Sequence, residues 1–266
     1  MFSLNGLFIL IAILIVCMIG FKKYVWFISL GYGFSISIVG VMLLILFRDS
    51  LDLGYILGAI ILICYGLRLG GFLAFRELKS SSYNKKMKKE ISDGSHMKFP
   101  IKVMLWISCA LLYLFMTSPI IYRFMNQSEC DICYYVGLGI TVFGILLEAL
   151  SDLQKSHEKK KNPNRFVDTG LFKIVRCPNY LGELIIWLGV FVSGVTTLSG
   201  IEQWVISIIG FVGIIYIMFS GARRLELRQD RTYGHDEEYK KYVKKTPILL
   251  PFIPLYSVKK HKWLVG

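Results

Sequence analysis

Seven long apolar stretches divide the chain, and they constrain its fold more than any other feature. A helix needs about 20 mostly apolar residues to cross the hydrocarbon core of a bilayer. Hydrophobic residues make up 55% of the 266 residues and charged residues only 18%, which is too apolar for a water-soluble domain of this size. We therefore predict an all-α, polytopic membrane bundle of about seven transmembrane helices that forms one domain over residues 1–266. The stretches are residues 3–21, 24–47, 53–75, 100–125, 132–151, 178–198 and 201–221.

Basic residues are distributed very unevenly between the segments that join these stretches. Nearly all of the 31 Lys and Arg residues fall in residues 22–23, 76–102, 151–177 and 222–266. The alternate loops hold only Arg48 and Arg123. Cytosolic loops carry the excess of Lys and Arg in membrane proteins, so we predict that the N-terminus lies outside and the C-terminus in the cytosol. The same bias explains the net charge of +13, and no nucleic-acid partner is expected.

The six cysteines do not indicate a metal site. Cys130 and Cys133 form one "CDIC" motif in a short loop, without a second pair of ligands. A structural zinc site takes four protein ligands, commonly as two such pairs. We therefore expect no metal.

Polar and ionisable residues occur in three of the apolar stretches, at positions that share a helix face. An ionisable residue at the middle of a membrane helix costs about 2.5–3.5 kcal/mol on insertion scales, so such residues are candidates for function. The predicted orientation puts all three pairs towards the cytosol, where they could line one pocket. Snorkelling, or an interhelical ion pair such as Arg68 with Glu183, is the structural alternative. The pairs are Tyr65 with Arg68, Glu148 with Asp152, and Asn179 with Glu183.

A basic loop precedes the stretch that begins at residue 178. Positive-inside bias explains most of its lysines, but beside a polar pocket the loop would also attract a polyanion such as a nucleotide diphosphate. The chain has neither a GxGxxG fingerprint after a strand nor a P-loop, so a Rossmann fold would not hold a dinucleotide. The basic residues of the loop are Lys159, Lys160, Lys161, Arg165, Lys173 and Arg176.

Two segments resemble the steroid 5α-reductase superfamily, especially its bacterial members. They are "EALSDLQK" (148–155) and "NRFVDTGLFKIVRCPNYLGELIIW" (164–187). The resemblance assigns residues 53–266 to a 5α-reductase-like region and residues 1–52 to additional N-terminal helices. It implies a seven-helix bundle that holds NADPH in a pocket open to the cytosol. The cofactor would reduce a carbon–carbon double bond conjugated to a ketone.

The resemblance also implies where the protein acts and what it binds. Its substrate would be steroid-like or otherwise lipophilic, and the protein would contact membrane lipid. The expected location is the bacterial cytoplasmic (inner) membrane. The oligomeric state stays open.

The resemblance assigns roles to single residues. "YGLR" (65–68) is similar to the family's Tyr-x-x-Arg, which would make Tyr65 the catalytic donor to the substrate ketone. Asn179 and Glu183 would contact the nicotinamide side of NADPH, and Asp152 and Arg165 its adenosine and phosphate parts. A preference for NADPH over NADH is expected from the basic residues. The implied cofactor-binding residues are Arg68, Glu148, Asp152, Arg165, Arg176, Asn179 and Glu183.

The chain departs from the family pattern at two places. Steroid 5α-reductases pair their tyrosine with a glutamate from the preceding helical segment, but residues 24–47 contain no carboxylate. The bacterial relatives usually have Arg-His-Pro-Asn-Tyr, whereas this chain has Cys177 in place of the histidine. The first departure puts the catalytic pair in question, and the second a possible contact to phosphate.

Two alternative functions stay open. "RCPNYLG" and "LELRQDRTYGHDEEYKKY" partly resemble isoprenylcysteine and phospholipid methyltransferases, which bind S-adenosylmethionine. A non-catalytic lipid-binding membrane protein is the second alternative. The "SDLQK" segment and the Asn179–Glu183 pair favour a reductase.

Overall fold

A computed structural model describes residues 3–79 and 97–265, and within these ranges the regular elements are all helical. The predicted cytosolic loop at residues 80–96 lies outside the described residues. Short 3-10 turns occur at Met18–Phe21, Arg48–Ser50 and Gly170–Lys173. The α-helices are α1 (Leu4–Cys17), α2 (Val25–Ile28), α3 (Leu30–Leu46), α4 (Leu53–Lys79), α5 (Phe99–Met125), α6 (Ile132–Lys161), α7 (Pro178–Gly194), α8 (Gly200–Tyr233) and α9 (Glu237–Lys245).

Each of the seven apolar stretches contains helix, which confirms an all-α, multi-pass membrane protein. Among the described residues, five helical segments are long and apolar enough to cross a membrane. The second stretch is interrupted at Ser29, whose hydroxyl donates to the Val25 carbonyl, and its longer part, α3, has 17 residues. Seven spans and their orientation remain predictions. The five segments are Leu4–Phe21, Leu53–Glu77, Phe99–Met125, Ile132–Lys161 and Gly200–Tyr233.

Two helices continue well beyond their apolar stretches. The sequence predicts spans at 132–151 and 201–221, but α6 ends at Lys161 and α8 at Tyr233. The added turns are rich in Lys, Glu, Arg and Gln, which are good helix formers, so the helix has no local reason to end where the apolar residues end. Asp152 therefore lies inside a regular helix.

The chain forms two compact units. Unit one comprises Met1–Leu138 and Val190–Gly210, and unit two comprises Gly139–Gly189 and Phe211–Gly266. The predicted single domain, with its division after residue 52, stays a prediction.

Glycines allow α3 and α4 to approach closely in unit one. A Cβ atom at Gly33 would lie 2.6 Å from the backbone nitrogen of Gly70, and one at Gly66 would lie 2.6 Å from that of Ser37. Real Cβ atoms do not come so close to backbone. Small residues at helix crossings are a general means of packing in membranes, and here they bring the side chains beside Gly33 and Gly66 together.

In unit two, α6 and α7 pack closely at two glycines. A Cβ atom at Gly144 would lie 2.6 Å from the nitrogen of Ile186, and one at Gly182 would lie 2.8 Å from the Cβ of Glu148. The C-terminal segment of the chain folds back on the start of α7 and on α8, and completes an apolar core. The buried residues of this core are Cys177, Ala222, Leu225, Ile248, Leu249, Val258 and Leu264.

Aromatic side chains attach α9 to the loop before α7. The ring of Phe166 stacks on Tyr242 at 5.4 Å and meets Tyr239 edge-on at 5.3 Å. The hydroxyl of Tyr242 donates to the Phe172 carbonyl at 2.7 Å. The two tyrosines, at i, i+3 spacing, therefore form the face of α9 that packs against this loop.

Candidate active site

Two buried glutamates lie on the helices that cross in unit two, α6 and α7. Glu148 is 3% exposed and Glu183 is 6% exposed. Because Gly182, the residue before Glu183, has no side chain, α6 can pack with Glu148 directly against α7. The indole nitrogen of Trp187 donates to Oε2 of Glu183 at 3.1 Å and fixes its orientation. Asp152 lies one turn after Glu148 on α6, as its i, i+4 spacing predicts.

Asn179 lies in the first turn of α7, which begins with a proline at Pro178. Its Oδ1 atom is buried and accepts no hydrogen bond from the part of the chain that the structure describes. A buried acceptor without a donor costs about 1–3 kcal/mol. A ligand that presents an N–H group to this oxygen would remove that cost.

Arg176 lies just before α7, and only one nitrogen of its guanidinium group, Nη2, donates hydrogen bonds to the described chain. The residue is 2% exposed, and its Nη2 donates to Oε1 of Glu226 at 3.1 Å and to the Tyr256 carbonyl. Its backbone N–H donates to the Pro247 carbonyl at 2.9 Å. Nε and Nη1 are buried and have no hydrogen-bond acceptor within residues 3–79 and 97–265. A fixed guanidinium with two unused donors suits an anionic ligand such as a phosphate group.

Glu226 is a site residue that the sequence did not single out. It pairs with Arg176 although 50 residues separate them, and both side chains are almost completely buried. Its second oxygen accepts from the backbone N–H of Val258 at 2.9 Å. Glu226 was visible only within the segment that resembles the methyltransferases, and no spacing rule connected it to Arg176.

Arg165 lies at the surface and has carboxylate partners. Its Nη1 donates to Glu238 at 2.6 Å and its Nη2 to Asp168 at 3.0 Å, and the bond to Glu238 is the main reason that the pKa of Arg165 is raised. With Asn162 and Asp236, it borders a shallow pocket. Its predicted contact with the phosphates of a cofactor stays a prediction.

Cys177 packs into the apolar core of unit two. Its backbone N–H donates to the Ile248 carbonyl at 3.0 Å, and burial raises the pKa of the thiol to about 11. The side chain is therefore a neutral thiol at physiological pH. In this chain position 177 contributes packing and offers no charged donor.

In unit one, Tyr65 forms a hydroxyl pair with Tyr32. Tyr65 lies on α4 and is 0% exposed, and its hydroxyl oxygen is 2.9 Å from that of Tyr32 on α3. Arg68 follows three residues later on α4 and is partly buried. Residues 24–47 contain no carboxylate, and the partner of Tyr65 from this stretch is a tyrosine, which the family pattern does not predict.

The predicted site residues are thus divided between the units. Unit one holds Tyr65 and Arg68, and the structure adds Tyr32 to them. Within unit two, the structure packs Glu148 against Gly182, the residue before Glu183, and leaves Arg165 at the surface. Their catalytic and cofactor-binding roles stay predictions. The site residues of unit two are Glu148, Asp152, Arg165, Arg176, Asn179 and Glu183.

These features define a class: an all-helical, multi-pass membrane protein with buried polar groups on its helices. The chain belongs to the family described as a protein of unknown function (DUF1295), whose sequence model matches residues 16–246 and which is part of the steroid 5-alpha-reductase-like superfamily. The predicted resemblance is confirmed, and the match begins nearer the N-terminus than residue 53.

Two curated relatives are similar over part of the chain. The 3-oxo-5-alpha-steroid 4-dehydrogenase 1 of Rattus norvegicus is 23% identical over 123 residues, which are 46% of this chain and 42% of the relative. The very-long-chain enoyl-CoA reductase of Dictyostelium discoideum is 28% identical over 121 residues, which are 45% of this chain and 36% of the relative. The chain thus spans less than half of the length of each relative. No solved structure matches this chain.

Proposed function

We propose that this protein is a membrane oxidoreductase that uses NADPH to reduce a carbon–carbon double bond conjugated to a carbonyl group in a lipophilic substrate. Its family supports this proposal. One relative is named as a 3-oxo-steroid 4-dehydrogenase and the other as an enoyl-CoA reductase, and both names combine such a double bond with a carbonyl group. A steroid-like substrate and a bacterial cytoplasmic membrane are part of the same proposal.

The observation that carries the proposal is the set of unused polar atoms before and within the first turn of α7. Within the described chain, Asn179 Oδ1 lacks a donor, and Nε and Nη1 of Arg176 lack acceptors. NADPH combines a carboxamide, which has N–H donors, with phosphates, which are strong acceptors. The residues present therefore fit this cofactor. S-adenosylmethionine has no phosphate and offers Arg176 a single carboxylate, whereas NADPH offers several phosphate oxygens, which makes methyl transfer the weaker candidate.

Asn179 and Glu183 would hold the carboxamide. Asn179 accepts through Oδ1 and can also donate through its amide nitrogen, whereas an ionised Glu183 only accepts. Trp187 donates to one oxygen of Glu183 and thereby orients the carboxylate. Arg176 would bind phosphate. Further cofactor contacts are proposed for Arg68, Glu148, Asp152 and Arg165.

NADPH, when bound, supplies a hydride to the substrate. Negative charge then develops on the carbonyl oxygen, and the Tyr65 hydroxyl would donate a hydrogen bond to it. Tyr65 is completely buried, and a hydrogen bond is electrostatically stronger in such a low-dielectric site than in water. Burial also excludes water that would compete for the same oxygen.

Ligand binding to the purified full-length protein tests the proposal directly. Calorimetric titration in detergent should give tighter binding for NADPH than for NADH and no binding of S-adenosylmethionine. Turnover is then followed as oxidation of NADPH with a 3-oxo-4-ene steroid and with a long-chain trans-2-enoyl-CoA. Binding of S-adenosylmethionine instead of NADPH would overturn the reductase assignment.

The variant Glu183→Gln tests the site itself. It keeps the shape of the side chain but replaces one acceptor oxygen with a donor, so NADPH affinity should fall about tenfold to a hundredfold. Glu202→Gln, at an exposed position at the start of α8, is the matched control. If Glu183 only ties helices together, its variant will melt at a lower temperature and bind NADPH unchanged, which would remove it from the site.

A further inference from the structure

We infer that Tyr32 is a positioning residue that directs the hydroxyl proton of Tyr65 towards the substrate. The inference rests on the proposed function and deepens it. The two hydroxyl oxygens are 2.9 Å apart, and Tyr32 is 7% exposed and Tyr65 0%. They come from different helices, α3 and α4, and are 33 residues apart in the sequence.

The chemistry of the partner decides which way the proton of Tyr65 points. A tyrosine hydroxyl has one proton to donate and can also accept. When Tyr65 donates to the substrate carbonyl, it cannot donate to Tyr32, so Tyr32 must be the donor in their shared hydrogen bond. The chain of donors then runs from Tyr32 to Tyr65 to the substrate oxygen, and each bond in such a chain strengthens the next.

A carboxylate in the same place would act differently. An ionised carboxylate only accepts hydrogen bonds, so it would compete with the substrate for the proton of Tyr65. Residues 24–47, which include α3, contain no carboxylate. A tyrosine partner can instead donate to the Tyr65 oxygen, and it does so without placing a charge in the apolar core.

The packing around Tyr32 holds its ring in position. Its ring centroid is 5.3 Å from that of Tyr113 and 6.5 Å from that of Tyr65, the latter in an edge-to-face arrangement. The next residue, Gly33, lies at the close crossing of α3 and α4, as does Gly66, which follows Tyr65. The backbone next to both hydroxyl-bearing residues is thus fixed, and a donor fixed in advance stabilises developing charge without reorganisation.

Tyr32→Phe tests the inference because it removes only the hydroxyl. With saturating NADPH and a 3-oxo-4-ene steroid or a long-chain trans-2-enoyl-CoA as probe, kcat of the full-length protein should fall up to tenfold. KM for NADPH should not change. Tyr113→Phe is the matched control: its hydroxyl lies in the same cluster but donates to the Phe27 carbonyl at 2.8 Å, so kcat should be unaffected.

The double variant Tyr32→Phe/Tyr65→Phe separates positioning from simple structural support. If Tyr32 acts through Tyr65, the double variant will be no slower than Tyr65→Phe alone. Melting temperatures show whether each variant is folded. This inference would be overturned, and the proposed function left standing, by either of two results. One is a fold-loss of kcat in the double variant that equals the product of the losses in the single variants, and the other is an unchanged kcat in Tyr32→Phe. A folded wild-type protein that reduces neither probe would overturn the proposed function and this inference with it.

Discussion

Arg123 in unit one and Arg176 in unit two are both buried arginines, but their surroundings differ. Arg123 lies in the last turn of α5 and is 0% exposed. The chain itself uses each of its nitrogens, and the guanidinium carbon lies 4.9 Å from the ring centroid of Tyr134. Its acceptors are the carbonyls of Ser193 and Glu129, the hydroxyl of Thr196 and, at 3.7 Å, the carboxylate of Asp131.

Arg176 uses only Nη2, and its two other nitrogens have no acceptor within the described residues. Burial alone therefore does not separate a structural arginine from a ligand-binding one. The informative quantity is the number of guanidinium N–H donors that have no acceptor within the described chain. By this criterion Arg123 is a structural arginine, and Arg176 is the candidate for binding an anion.

The largest effect on stability should come from Arg123→Met. The change leaves the Ser193 and Glu129 carbonyls without their donor and removes the partner of Asp131, so the free energy of unfolding should fall by about 3–5 kcal/mol. NADPH affinity of the folded fraction should stay at the wild-type value. Thermal unfolding in detergent measures the first quantity and calorimetry the second. Arg48→Met, which changes an exposed arginine, is the control. If Arg123→Met also lowers NADPH affinity, the two buried arginines do not differ in function as proposed.

Arg176→Lys should reverse this pattern. Lysine keeps a positive charge beside Glu226 but loses the planar fork, so NADPH affinity should fall about tenfold to a hundredfold, which is the worth of one charge-assisted hydrogen bond. The melting temperature without cofactor should change less than in Arg123→Met. Arg224→Lys, at an exposed position on α8, is the control. If Arg176→Lys binds NADPH as well as the wild type does, the spare donors are not a phosphate site.

The smallest effect concerns Asp131, which caps the start of α6 by accepting from the backbone N–H of Tyr134 at 2.8 Å. Partial burial alone would raise its pKa, but hydrogen bonds from Thr196 and Tyr134 and the charge of Arg123 lower it below the usual value. The carboxylate therefore stabilises the fold above its unfolded-state pKa, and the contribution is lost as the pH falls through the lower folded-state pKa.

Asp131→Asn keeps the cap and removes only the charge. At neutral pH it should cost at most about 1 kcal/mol, because the side chain is partly exposed. Unfolding curves of the variant and the wild type should converge as the pH falls below the folded-state pKa of Asp131. A difference that persists at that pH would show that the charge is not the source of the effect.

Local sequence patterns predicted the helices and the pairs along each helix. Apolar stretches of membrane length located the helices, and i, i+3 and i, i+4 spacings placed Tyr65 with Arg68 on α4 and Asn179 with Glu183 on α7. These predictions succeed because helix periodicity and the apolar length that a bilayer requires are both properties of one continuous segment of the sequence. The boundaries of α6 and α8 were wrong in length, because helix propensity does not end where apolar residues end.

Contacts between distant residues could not be predicted in the same way. Tyr32 meets Tyr65 across 33 residues and Arg176 meets Glu226 across 50. Such pairs depend on which helices pack and in what register, and no periodic pattern in one chain encodes this. The same limit hid the role of Arg123, whose acceptors lie at the end of α7 and in the two loops that follow α5 and α7.

The close crossing of α3 and α4 affects how the results of a mutational scan of this protein should be interpreted. Any side chain at position 66 collides with the backbone of α3, so a library would score that position as intolerant as the neighbouring Tyr65. Ranked by lost activity alone, Gly66, which is needed for packing, and Tyr65, which is proposed to act in catalysis, would look alike. Only a scan that reads abundance in the membrane alongside turnover would separate them, since Gly66 variants should disappear from both readouts and Tyr65→Phe from turnover alone.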